Sequence, residues 1–176
     1  MVRVVGFHVL ASTVLAMMVV GCIVSKNTRR PDERAACRRQ LQVLACTVDL
    51  YCQLHDGQFP GHLIGGNNEH LPVSGFIPWP QLILICPGTG RDQTGKGEMK
   101  EEDIDYVYVN WSRWYKTSEE VPGEYPLAYD RRLANHAGQG VNVVAVDRHA
   151  FWDPDAKWLR NFAQNHPEYD IPLSKE

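Results

Sequence analysis

The chain has 176 residues, a length that suits one domain. Its hydrophobic share of 44% and charged share of 22% are those of a globular protein and exclude a disordered one. The formal net charge is −3 and no basic stripe runs along the sequence, which argues against nucleic acid as a partner.

Residues 1–24 (MVRVVGFHVLASTVLAMMVVGCIV) place Arg3 ahead of an apolar stretch, Val9 to Val20, broken only by Ser12 and Thr13. A short basic region, an apolar run and small residues in that order describe a secretory signal peptide. Val19-Val20-Gly21-Cys22 resembles a bacterial lipobox, and that resemblance implies cleavage before Cys22 and lipidation of its thiol. Val4 to Val24 is also long enough to span a bilayer uncleaved. Gly6-Phe7 ahead of the run resembles a prepilin cleavage site, with Ala11 where pilins carry an acidic residue. All three readings anchor the chain at a membrane and put it outside the cytoplasm from about residue 30 onward. Residues 25–31 read as a polar linker. Arg29, Arg30, Arg34, Arg38 and Arg39 suit a flank near lipid headgroups or a solvated helix face.

Pro31 suits the start of a helix, with Asp32 and Glu33 favourable in its first turn. From there to Leu54 the spacing of Cys37, Leu41, Leu44, Val48 and Tyr51 predicts one apolar stripe on a long helix. Gly57 is the expected stop, after His55 and Asp56. Residues 60–80 read as an irregular loop, Gln81 to Cys86 as a short apolar run, and residues 88–102 as a mobile polar loop. Asp103 to Asn110 (DIDYVYVN) alternates and predicts a strand. Val121 to Tyr125 reads as a turn and Leu127 to Asp130 as a short strand. Val141 to Val146 predicts a buried strand that meets His149 to Trp152 across a two-residue turn, Asp147-Arg148. Asp153 and Pro154 then read as N-cap and first residue of a last helix with Trp158, Leu159 and Phe162 on its apolar side. The domain is expected over 32–166, and the polar tail 167–176 to be loosely ordered. One long helix followed by loops, a few antiparallel strands and a short helix is an α+β order.

There are five cysteines. With Cys22 lipidated, four remain, which allows three pairings. Cys46 and Cys52 lie about 9 Å apart along the predicted helix, too far to bridge without unwinding it. Cys37 opens the apolar stripe and Cys86 closes an apolar run just before a Pro-Gly turn. A Cys37–Cys86 disulfide is therefore expected, enclosing about 50 residues and contributing about 4 kcal/mol in the chain-entropy view. Packed free thiols are the alternative. Zinc is a further option, without any paired C-x-x-C spacing.

His136, Asp147 and His149 invite a metal or acid–base site, with Asp147 and His149 on one side of a strand. The plainer assignment has Asp147 capping its turn and His136 bonding to backbone. Asp153 and Asp155 with Asp147 offer oxygens for calcium, or else serve as helix caps. Otherwise no cofactor is expected. Trp111, Trp114 and Tyr115, with Tyr106 and Tyr108, suit core or interface packing, or else a face that stacks on glycan.

The run ACRRQLQVLACTVDLYCQLHDGQFP (36–60), with Cys37, Leu41, Leu44, Tyr51, His55, Asp56, Gly57, Phe59 and Pro60, resembles the stretch after the anchor in prepilin-type, pseudopilin-like proteins of the planctomycete kind. Cys86-Pro87 is similar to that family's short strand end, and DIDYVYVN to its next strand. PLAYDRRLANHAGQGVNVVAVDRHAFW (126–152) resembles its C-terminal segment, where Asn-His-Gly-x-Gly leads a strand that turns at Asp-Gly-His; here Arg148 stands in for the turn glycine, where a positive φ is costly. The resemblance implies a pilin-like domain, a long N-terminal helix packed on a small antiparallel sheet. It implies a non-enzymatic structural, secretion- or assembly-associated role among envelope proteins or other pilin-like subunits. The alternatives are a lipid-anchored module binding glycan or another envelope component, and a metal-dependent enzyme built on His136, Asp147 and His149.

Overall fold

A computed structural model describes residues 33–64, 81–91 and 99–173. The signal or anchor segment 1–24 with Cys22, the linker 25–31 and most of the loop expected over 60–80 lie outside the described residues. Among the described residues no helix is long and apolar enough to cross a membrane.

The fold is α+β. Helix α1 spans Glu33–Leu54 and buries Cys37, Leu41, Leu44, Val48 and Tyr51, the whole predicted stripe, together with Ala45 and Cys52. It closes as its sequence suggests. Asp56 (φ 52°) and Gly57 (φ 80°) turn left-handed, and the Gly57 amide donates back to the Cys52 carbonyl at 2.8 Å.

The run after the loop is the first correction. Gln81–Leu84 forms one helical turn, α2, and Pro87–Thr89 a 3-10 turn, where the resemblance implied a strand end. The Cys86 amide finds its partner in the Asp105 carboxylate at 2.9 Å rather than in a neighbouring strand.

Four strands follow, β1 (Tyr106–Tyr108), β2 (Pro126–Asp130), β3 (Gly140–Ala145) and β4 (Ala150–Pro154). They pair antiparallel in chain order. β1 is shorter than predicted because its first half is claimed elsewhere. Glu101–Asp103 makes a 3-10 turn capped by the Asp103 carboxylate, and the Asp105 amide donates to the Leu84 carbonyl. All of β2 and β3 is buried, and residues of α1, β1, β2 and β3 belong to one apolar cluster.

The β3–β4 turn has three residues, Val146-Asp147-Arg148, and not two. The Val146 amide donates to the Tyr125 carbonyl and so leaves the hairpin ladder, while Ala145 and His149 close it. Arg148 takes φ 70°, the conformation at which the resemblance implies glycine.

The last helix, α3 (Lys157–Asn165), begins three residues beyond the expected position. Asp153 and Pro154 finish β4 as an edge strand, where proline is tolerated. Asp155 and Ala156 then turn left-handed. The Asp153 carboxylate still caps the helix, accepting the Trp158 and Leu159 amides at 2.9 Å each.

Of the expected tail, residues 167–173 are described, and two of them dock on the domain. Tyr169 lies edge-on to Trp111, the Tyr129 hydroxyl donates to the Pro172 carbonyl, and Ile171 is 7% exposed. Two apolar side chains among polar ones suffice to dock it.

Arg148 supplies a direct check on backbone strain. Its side chain pairs with Asp49, an exposed pair at 2.8 Å worth about 0–1 kcal/mol. Arg148→Gly and Arg148→Ala both remove that pair, but only glycine relieves the left-handed backbone. Arg148→Gly should therefore be more stable than Arg148→Ala by about 1 kcal/mol in chemical denaturation. Equal stabilities would contradict the turn geometry.

Candidate metal centre

Four separate segments bring chemistry to one buried point. Cys37 comes from the second turn of α1, Cys86 from the turn after α2, Asp130 from the end of β2 and His136 from the 3-10 turn Leu133–His136. All four residues are buried, and one ligating atom from each lies within 4.8 Å of the others.

The contacts are specific. The Cys37 thiol donates to Asp130 Oδ1 at 3.0 Å and lies 3.2 Å from the Tyr106 hydroxyl. That hydroxyl donates to Gln40 Oε1 at 2.7 Å, and Gln40 Nε2 donates to the Leu82 carbonyl. On the other side Asp130 Oδ2 accepts the Asn142 amide at 2.6 Å and Asn142 Nδ2 at 3.2 Å. His136 Nε2 stands 3.2 Å from Asp130 Oδ2, 3.1 Å from Asn142 Nδ2 and 3.6 Å from Cys86 Sγ. Trp152 closes the site with its ring edge-on to His136 at 5.5 Å.

Two glycines allow this approach. Gly88 runs against the His136 turn so closely that a Cβ there would meet the Asn135 carbonyl at 2.1 Å. Gly140, at φ 147°, lies under β4, where a Cβ would meet the Asp153 carbonyl at 2.4 Å.

Burial pushes the Cys37 thiol up. The neighbouring Cys37 thiol, outweighing burial and helped by His136, draws Cys86 down to about 7. Burial works to lower His136, but its hydrogen bonds with Asp130 and Cys86 lift it to about 9. The cluster therefore holds its protons on Cys37 and His136, and Cys86 is the sulfur most ready to become a thiolate.

The sequence expectations divide here. Cys37 and Cys86, expected to form a disulfide, are both buried in this cluster and are free thiols in the structure. His136 belongs to the site, whereas Asp147 and His149 do not join it. His136 touches Asn142 within β3, whereas Asp147 lies in the turn beyond the end of that strand. Asp147 instead accepts the His149 amide at 2.8 Å, and His149 stacks on Phe151. Both Asp153 oxygens serve α3, so they are occupied as caps, and Asp155 follows in the left-handed connection. Asp130 was missed, although a carboxylate closing the apolar run Leu127-Ala128-Tyr129 was a visible signal.

The aromatic residues do not form one exposed face. Trp111 is 0% exposed, with its indole N–H donated to the Pro126 carbonyl at 3.0 Å, and Trp114 is 37% exposed. Tyr115 is half-buried, its hydroxyl 2.7 Å from that of Tyr169.

Gly88 tests the assembly. Gly88→Ala drives a methyl into backbone and should cost about 2 kcal/mol in denaturation. Gly61→Ala, with nothing within 4 Å of the added carbon, should stay within about 0.5 kcal/mol of the parent. Equal effects would mean that the Cys86 turn does not press on the His136 turn. Compared with protein-family models, with characterised proteins and with solved structures, the chain matches none.

Proposed function

We propose that this chain is a membrane-anchored, pseudopilin-like protein of the cell envelope, which acts by packing and association outside the cytoplasm rather than by catalysis. The observation that supports the reading is a shared apolar cluster. Cys37, Leu41, Leu44 and Val48 of α1 belong to the same cluster as strand residues, and Cys37 contacts side chains of β1 and β2. A long helix laid over an antiparallel meander is what a pilin-type head requires. In this chain the helix follows an apolar N-terminal segment and a short polar linker.

The Asn135-His136 turn adds support. Its His136 faces inward, and Gly140 leads directly into β3, so the segment similar to the pseudopilin C-terminal pattern is used structurally. Such a head would offer its outer surface to other envelope proteins or pilin-like subunits.

Fractionation of the native cells tests this. The full chain should sediment with the envelope, and protease added outside the cytoplasmic membrane should digest the domain. Mass spectrometry of the mature N-terminus should then show a lipidated Cys22, a methylated Phe7 or an intact Met1, according to the mode of anchoring. Recovery of the undigested chain in the cytoplasm would overturn the reading.

A further inference from the structure

We propose that Cys37, Cys86, Asp130 and His136 form a closed, tetrahedral zinc site that fastens α1 and the Cys86 turn to the sheet. The site belongs to the domain whatever the chain does at the membrane, so it stands or falls apart from the envelope reading.

The donor set comes first. Two thiol sulfurs, one imidazole nitrogen and one carboxylate oxygen make a soft and borderline set that selects zinc over calcium or magnesium, which take oxygen ligands. Four protein donors with none left open to solvent is the composition of a structural site rather than a catalytic one.

Dimensions agree. With zinc–sulfur bonds of about 2.3 Å and zinc–nitrogen or –oxygen bonds of about 2.0–2.1 Å, a tetrahedron has edges of roughly 3.3–3.8 Å. The Cys86–His136 edge is 3.6 Å and the edge from Cys37 to Asp130 Oδ1 3.0 Å, and the four residues offer ligand atoms within 4.8 Å of one another. Shifts of up to about 1 Å in the longer edges seat the ion.

A third observation is the crowding on one atom. Asp130, Asn142 and Cys86 all converge on His136 Nε2. A single ring nitrogen makes one directional hydrogen bond, so at most one of these contacts is a bond of Nε2. A cation held between Nε2, Oδ1 and the two sulfurs takes that one bond. Asp130 Oδ2 keeps its two Asn142 bonds and thereby aims Oδ1 into the site.

Binding releases the protons of both thiols, and of His136 where it is charged, to solvent. Two thiolates and a carboxylate then exceed the charge of the ion by one. The Asn142 donors on Asp130 face that excess.

The test uses the full chain in detergent. Purified without chelator, it should carry about one zinc per chain. After chelator stripping and thiol reduction, added cobalt(II) should give the visible bands of a tetrahedral ion and the near-ultraviolet thiolate-to-cobalt band, both abolished by zinc. Cys86→Ser and His136→Gln should each weaken cobalt binding about tenfold or more, whereas Asp147→Asn and His149→Gln should leave it unchanged. Should the ligand variants fail to fold, the titration of the unaltered chain still decides. A six-coordinate cobalt spectrum, or none, would overturn the site. So would peptide mapping of the unreduced native chain that links Cys37 to Cys86 by a disulfide.

Discussion

The Asp130 carboxylate is the constraint around which the domain is arranged. It is 0% exposed, and a carboxylate held away from water costs several kcal/mol unless its oxygens are bonded. Its recorded partners come from three other elements, Cys37 of α1, Asn142 of β3 and His136 of the intervening turn. Each must be in place for the others to be worth burying. An apolar stripe alone lets a helix slide or roll by a residue at small cost, since Leu41, Leu44 and Val48 make non-directional contacts. The polar contact at Cys37 removes that freedom, because a hydrogen bond is directional.

The same logic accounts for local features that look costly in isolation. The Pro87–Thr89 turn crowds the His136 turn at Gly88, which brings Cys86 beside Nε2. Ala137 and Gly138 turn left-handed just after His136, and the Gly138 amide closes on the Leu133 carbonyl, so the short turn is held in one shape. A pin in the first turns of α1 also restrains the end of the helix where fraying is easiest.

Much of this was legible in the sequence. The stripe Cys37–Tyr51 was plain because each member obeys a helical period and each is buried. The β3–β4 hairpin was plain because VNVVAV is apolar at every position but Asn142 and a short polar turn, Asp147-Arg148, follows it. Cys37 and Cys86 could be paired from their positions at the edges of apolar runs. What pattern could not supply was tertiary. Asp130 reads as an ordinary strand end, and Asn142 as one polar residue in a strand, until β2 and β3 are set side by side. Asp153 showed its capping role but not its reach, since the two left-handed residues after Pro154 move the helix start without changing which carboxylate caps it. Tyr169 and Ile171 sit among polar neighbours, and only the aromatic cluster around Trp111 explains their burial.

Cys37 and Asp130 couple the long helix directly to the second strand. A double-mutant cycle measures that coupling, with Cys37→Ala, Asp130→Asn and the double variant compared by chemical denaturation of the reduced, chelator-treated chain. The account predicts a coupling energy of about 1–2 kcal/mol. Additivity of the two substitutions to within about 0.3 kcal/mol would contradict it.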